Sequence, residues 1–407
     1  MSNPVAMHAV RTPRKAWVML ALGVAAQAAG TLLVSTPAYL IPMLHTEQGM
    51  PLAQAGLLAA APTFGMVLTL VLWGALADRF GERWIIAGGL ALTAVFAFAA
   101  VPVDGYAGLA VVLMLGGAAS ASTNAASGRV VVGWFPRERR GLAMGIRQMS
   151  QPLGVAVAAL TVPALASDVG ITAPFVLSGV ATLVLAALCA WGIRNPPRPS
   201  APAGATAGVT ANPYARDGFL LRIHVVSALL VFPQFTLSTF GLVWLTSGMG
   251  WDATAAGILV AASQFVGAIG RIVIGHVSDR RGTRVGVLRQ VAVAGVIAMV
   301  VLGLTGWAQW DVVAAVVFVI AATISVADNG LAFTSVAEAA GSRWSGRALG
   351  IQNTGQFLSA SAVGPVVGAL ITVVGYPLAF GLVALTPLIS LGLLPARDRH
   401  AGEPAAG

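Results

Sequence analysis

The chain holds a single cysteine, Cys189, among 407 residues. No disulfide can form within it, and a metal centre built on thiolates is excluded. Charge is nearly as scarce: Asp, Glu, Lys and Arg make up 9% of the sequence against 57% hydrophobic residues, and mean hydropathy is +0.85. So few polar groups cannot cover a water-soluble fold of this length. Also missing are the alternating segments of about ten residues that mark a membrane β-barrel. There is no glycine-rich phosphate loop and no cluster of His, Cys or carboxylates. Direct ATP drive, a bound cofactor or metal, and an enzyme's catalytic constellation are therefore not expected, and energy must come from a gradient.

What the sequence does contain is a series of long apolar runs, each able to cross ~30 Å of hydrocarbon with about 20 helical residues. Twelve spans are predicted, roughly at 16–43, 53–77, 84–103, 106–134, 141–166, 171–193, 221–247, 253–277, 285–307, 311–338, 346–374 and 377–395. The fold class is an all-α membrane protein. Lys and Arg fall in the segments after even-numbered spans and at both ends, as Arg79, Arg83, Arg137, Arg140, Arg198, Arg216, Arg280, Arg284 and Arg397. The alternate loops carry neither, holding Glu47, Asp104, Asp168, Asp252 and Asp311 instead. By the positive-inside rule both termini are cytoplasmic, in a bacterial-type plasma membrane. The formal charge of +9 reflects this sidedness and an anionic leaflet, and nucleic acid is not an expected partner. Arg11, Arg14 and Lys15 precede an apolar run too long for a signal peptide, so this is read as an uncleaved first helix.

The chain is internally duplicated. Gly74-Ala75-Leu76-Ala77-Asp78-Arg79-Phe80-Gly81-Glu82-Arg83 recurs as Gly275-His276-Val277-Ser278-Asp279-Arg280-Arg281-Gly282-Thr283-Arg284, an offset of 201 residues. Gly141-Leu142-Ala143-Met144-Gly145-Ile146-Arg147-Gln148 aligns with Gly346-Arg347-Ala348-Leu349-Gly350-Ile351-Gln352-Asn353 at an offset of 205, which also pairs Asn124 with Asn329. Residues 194–220 are rich in Pro, Ala and Gly and read as a flexible linker. The expected organisation is an N-terminal tail 1–15, a six-helix bundle 16–193, the linker 194–220, a second bundle 221–395 and a tail 396–407. Parallel halves put a substrate site between them near mid-membrane. Two halves complete one pathway, so a monomer suffices.

The loop motif GALADRFGERW resembles the signature of the major facilitator superfamily, and the similarity in span count and linker position extends over essentially the whole chain. The resemblance implies that Asp78 caps a helix of the opposite half while Arg79 and Arg83 tie down neighbouring carboxylates, closing the cytoplasmic side. Glu82 departs from the basic residue often found there. Asp279, Arg280, Arg284 and the motif glycines Gly74, Gly81, Gly275 and Gly282 belong to the same gate, and Arg129 is expected beside Asp78.

Arg271 lies eight positions before Asp279, about 12 Å deeper in a helix, and its repeat counterpart is Leu70. An intramembrane Arg costs at least about 2.5–3.5 kcal/mol. The string from Gly270 to Arg280 resembles span 8 of facilitators for oxalate, monocarboxylates and nitrate, in which an arginine here binds the anion. Guanidinium forks match planar carboxylates. Alternatively, Arg271 pairs with Asp328 or snorkels to the interface. Asp328, the acid set well inside a span, is a proton carrier or that counter-ion. Asn124, Asn329, Gln27, Gln234 and Gln264 offer neutral hydrogen bonds to substrate or between helices. Arg147, replaced by Gln352 in the repeat, permits a substrate role.

The expected function is a secondary carrier of a small organic anion, a carboxylate, working by alternating access with proton coupling or exchange. The alternative is a proton-coupled exporter of drugs or hydrophobic compounds. That family's span-4 arginine is lacking at Val111–Val112, and its span-5 pattern is only hinted at by Gln151-Pro152-Leu153-Gly154. A membrane sensor would need an output domain that neither tail is expected to form.

Overall fold

The computed structural model describes residues 14–46, 48–50, 52–195, 212–215 and 217–400. Glu47, Arg198, Arg216, Arg11 and most of the expected linker lie outside them. The first half runs α1 (Arg14–Thr46), α2 (Leu52–Phe80), α3 (Glu82–Ala99), α4 (Tyr106–Trp134), α5 (Arg137–Arg147), α6 (Ser150–Asp168) and α7 (Ala173–Gly192). The second half runs α8 (Phe219–Val243, extended by a π-turn at Trp244–Gly248), α9 (Ala253–Arg281), α10 (Val285–Trp307), α11 (Asp311–Ser325), α12 (Asp328–Ala340), α13 (Ser345–Val383) and α14 (Leu385–Leu393). No strand occurs among the described residues. Eleven helical segments there are long and apolar enough to cross a membrane. Hydrogen-bonding every backbone group within its own segment is what lipid demands. Large apolar side chains such as Leu160, Val373 and Trp191 stay exposed, suited to acyl chains rather than water.

Three boundaries differ from the expected spans. Span 141–166 is two helices, α5 and α6, separated at Gln148–Met149, and span 311–338 is split between α11 and α12 at Val326–Ala327. Spans 346–374 and 377–395 run together as α13, kinked at Gly375 (φ 78°), before α14. Apolar periodicity is blind to such breaks because a broken helix in lipid is no less greasy.

Each charged loop turns on a glycine in the left-handed region, Gly81 at φ 87° and Gly282 at φ 65°. A side chain there would be strained, which accounts for Gly at both copies. Between the halves, α2 packs on α13 and α5 on α9, with α12 against α4 and α5. An apolar cluster joins Val131 and Met144 to Phe333 and Leu349 across this seam.

Candidate functional site

Two matching closures hold the halves together at the end carrying the charged loops. At the first, the Asp78 carboxylate accepts the N–H groups of Gly346 (2.9 Å) and Arg347 (3.0 Å), the opening residues of α13. At the second, Asp279 accepts those of Gly141 (2.9 Å) and Leu142 (2.8 Å) in the first turn and a half of α5. At the start of α13 the Asp78 carboxylate satisfies orphan donors and meets the positive end of the helix dipole, while Asp279 meets α5 about one turn further in. Asp78 is also ion-paired with Arg129, whose Nε donates to Glu82 at 2.8 Å. Arg284 donates to Asp279 at 2.6 Å and to the Arg137 carbonyl at 2.7 Å.

The expected partners of these carboxylates need correcting. Arg79 and Arg280 are exposed, and neither has an ion pair among the described residues. Arg83 donates instead to the Ala190 carbonyl at 2.6 Å and lies over the Trp84 ring. Arg79 and Arg280 stay at the surface, while Arg129 and Arg284, buried at 5% and 3% exposure, supply the charge. Sequence reading missed Glu338. It is buried at the end of α12, 3.6 Å from Arg140 of the first half and 3.5 Å from Arg284. A counterpart in the repeat would have flagged it, but Gly133 stands at the matching position.

Close backbone contact completes the closure. A Cβ on Gly74 would strike the Gly346 carbonyl, and one on Gly275 would strike that of Gly141. One turn deeper, a Cβ on Gly145 would come 2.6 Å from the Arg271 carbonyl, and one on Gly350 would come 2.7 Å from that of Leu70.

Above this seal lies a small polar chamber of about 30 Å³. Arg271 and Asn329 reach its wall from the second half, Asn124 and Gln27 from the first, and Gln234 also lines it. Gln27 donates to Asn124 at 2.7 Å, and Asn329 donates to Gln234 at 2.9 Å, so each half contributes one amide pair. Arg271 is 9% exposed, and its Nη1 donates to the Gln148 carbonyl at 2.8 Å. That carbonyl has no helical donor because Pro152, four residues on, lacks an N–H. Nε of Arg271 has no hydrogen-bond partner among the described residues. Asn124, Gln151, Phe235 and Phe357 are shared with a wider cavity of about 480 Å³, which continues toward the opposite end of the helices past Thr31, Tyr39 and Thr63. The chamber is thus open on one side and sealed on the other.

Three candidates sit apart from it. Asp328 is buried beside a separate apolar cavity lined by Leu230, Val291, Met299 and Pro387, with the backbone N–H groups of Asp328 and Asn329 at the start of α12 acting on its carboxylate. Among the described residues it is not in ion-pair contact with Arg271, although the two charges act on each other. Arg147 does not line the chamber. It is sealed at 1% exposure, donating to Ser127 (2.8 Å), to Gln148 Oε1 (2.7 Å) and to the Asn124 carbonyl (2.7 Å). Gln264, two turns before Arg271, is exposed and outside the chamber wall. Missed by sequence reading were the lining residues Gln148, Gln151, Asn353 and Gln356.

Many apolar helices surrounding a polar chamber that opens at one end define a multi-pass membrane transporter, not an enzyme. The chain belongs to the Major Facilitator Superfamily, whose family model matches residues 18–365. It is 43% identical to the uncharacterized MFS-type transporter Rv2994 of Mycobacterium tuberculosis over 94% of this chain and 85% of that protein. It is 26% identical to the probable sulfoacetate transporter SauU of Cupriavidus necator, over 89% and 91% of the two chains. Among solved structures, the proton:xylose symporter XylE shares the fold with a TM-score of 0.75 at 13% identity, covering 96% of this chain and 98% of that one.

Proposed function

We propose that the protein is a secondary active transporter of a small organic anion, a carboxylate or a similar acid, that works by alternating access. The observation carrying this reading is that Arg271 brings the one charged side chain among the described residues of the chamber wall. Its guanidinium is desolvated and keeps an unused donor, so a bound anion offsets its burial. Arg147 adds a second buried positive charge nearby, hydrogen-bonded only to neutral groups. The similarity to a probable sulfoacetate transporter points the same way. Export of hydrophobic compounds would suit the wide outer cavity but would leave the unused donor of Arg271 without an acceptor.

Counting the segments on either side of Gly375 separately gives twelve crossings, six before and six after the linker 194–220, with both termini on the cytoplasmic side. In that frame the Asp78 and Asp279 closures are the cytoplasmic gate, and the chamber faces outward. Asp328 is the coupling group: it is a carboxyl buried deep within a span, where ionisable residues carry protons or meet a counter-charge.

The test is titration of carboxylates into purified protein. Arg271→Gln should weaken binding roughly ten- to over a hundredfold, the usual cost of losing a charge-assisted contact. Arg271→Lys should also weaken it, because the charge remains but the fork is lost. Binding within about twofold of the parent in Arg271→Gln would make Arg271 a structural residue that serves the Gln148 carbonyl alone.

A further inference from the structure

Eight of the twelve residues lining the chamber carry side-chain amides. A pocket meant only for an acid needs donors, yet every amide also brings a carbonyl oxygen that must receive a hydrogen. The amide pairs Gln27–Asn124 and Gln234–Asn329 consume part of this capacity. Gln356 spends its NH2 group on Asn329 and Ser227, both at 2.8 Å, and Asn353 spends its own on the Leu349 carbonyl at 2.9 Å. The carbonyl oxygens of Asn353 and Gln356 then have no donor among the described residues, and neither does that of Gln151. A carboxylate has no hydrogen to give them. A hydroxyl does.

The charge count is equally restrictive. Arg271 lines the chamber, while the Arg147 guanidinium is sealed beneath it with three acceptors of its own. A second acidic group on the ligand would find no cation in the wall. A ligand ammonium would find no carboxylate, because Asp328 faces a different cavity.

Resting on the organic-anion reading, we infer that the substrate is a hydroxylated monoanion: a hydroxy acid whose acidic group meets Arg271 and whose hydroxyls donate to the amides of Gln151, Asn353 and Gln356. A site built for hydroxyls discriminates strongly against analogues lacking them, because its own polar groups are left unpaired.

The experiment is isothermal titration of the purified full chain with matched three- and six-carbon ligands. Glycerate and gluconate are compared with propionate and hexanoate, with the dianions malonate and adipate, and with the neutral polyols glycerol and sorbitol. At least one hydroxy acid should bind its site roughly tenfold or more tighter than its alkyl, dianionic and neutral counterparts. Gln151→Leu and Asn353→Leu should narrow the gap between hydroxy and alkyl acid. Gln151 is exposed to the cavity, so its variant keeps the test valid if Asn353→Leu fails to fold. Equal binding of alkyl and hydroxy acids, both lost in Arg271→Gln, would overturn this inference and leave the anion reading standing. So would tightest binding of a dianion. Equal binding of neutral polyols, no binding of any acid, or acid binding that survives Arg271→Gln would overturn both.

Discussion

Replacing Asp78 by Asn tests the closure at its most defined point. The carboxylate is 3% exposed, accepts two backbone N–H groups at the start of α13, and is paired with Arg129. Asparagine has nearly the same shape but a single carbonyl oxygen, so one N–H loses its acceptor and faces an NH2 group. Losing a hydrogen bond to a charged group costs about 1.5–3 kcal/mol. Removing negative charge from a helix start costs a further ~0.3–1 kcal/mol, more when partly buried. The closed arrangement should therefore weaken by about 2–4 kcal/mol, a shift of roughly 30- to 1000-fold in the ratio of closed to open protein. The Asp279 closure keeps its own contacts, so the energy lost is that of one of the two points. A reporter cysteine at Ser335, 2% exposed on α12, reads the opening once Cys189 has been replaced. Its labelling from the loop side should accelerate by that factor until the open form predominates, transport should slow, and substrate should still bind. Labelling within twofold of the parent, together with normal flux, would refute the role of Asp78 in closure.

Three further outcomes are expected besides the loss of binding in Arg271→Gln. Asp328→Asn should abolish uptake driven by a pH gradient while sparing counterflow exchange, which moves no net proton; retained accumulation in vesicles would assign Asp328 to structure. Gly275→Ala sets a methyl against the Gly141 carbonyl and should raise labelling of the Ser335 reporter, whereas Gly257→Ala, on the same helix with open space around it, should leave it unchanged. Burial pushes the Tyr214 hydroxyl, which bonds His224 at 2.9 Å, up to about 12. The folded chain thus keeps a proton that the unfolded chain loses near 10, so Tyr214 contributes stability in full below pH 10 that is lost as pH rises toward 12. Thermal melts of the parent should fall more steeply over that window than those of Tyr214→Phe, and parallel curves would contradict this.

The duplicated loop makes Asp78 and Asp279 legible from the residues alone, because two copies of an unusual charged turn cannot be accidental. Arg271 stands out for its cost in lipid. Less visible are Arg129 with Glu82, and Glu338 with Arg140. Ion pairs between distant helices leave no mark in local spacing, and Glu338 sits at the edge of its predicted span. The amides of Gln148, Gln151, Asn353 and Gln356 escape notice for a related reason: a polar residue in an apolar run shows that it is tolerated, not which way it faces. Gln264 and Arg147 show the opposite error. Both have the right chemistry and depth. Helix rotation leaves one exposed, and hydrogen bonds below the chamber absorb the other. The breaks at Gln148–Met149 and Val326–Ala327 are invisible because hydropathy does not register backbone direction, although Pro152 marks one of them.

The four glycines at the seam, Gly74 against Gly346 and Gly275 against Gly141, leave main chain touching main chain with no side chain between. Side chains can follow a parting surface by changing rotamer, but a peptide carbonyl cannot. Dispersion contacts at such spacing fade within about an ångström, and the carboxylate-to-N–H bonds beside them lengthen past usefulness over a similar distance. The closure therefore has almost no elastic range. A small tilt of one half releases its contacts together, so the molecule should spend its time shut or open and very little of it ajar, the behaviour that keeps a carrier from leaking as a channel would.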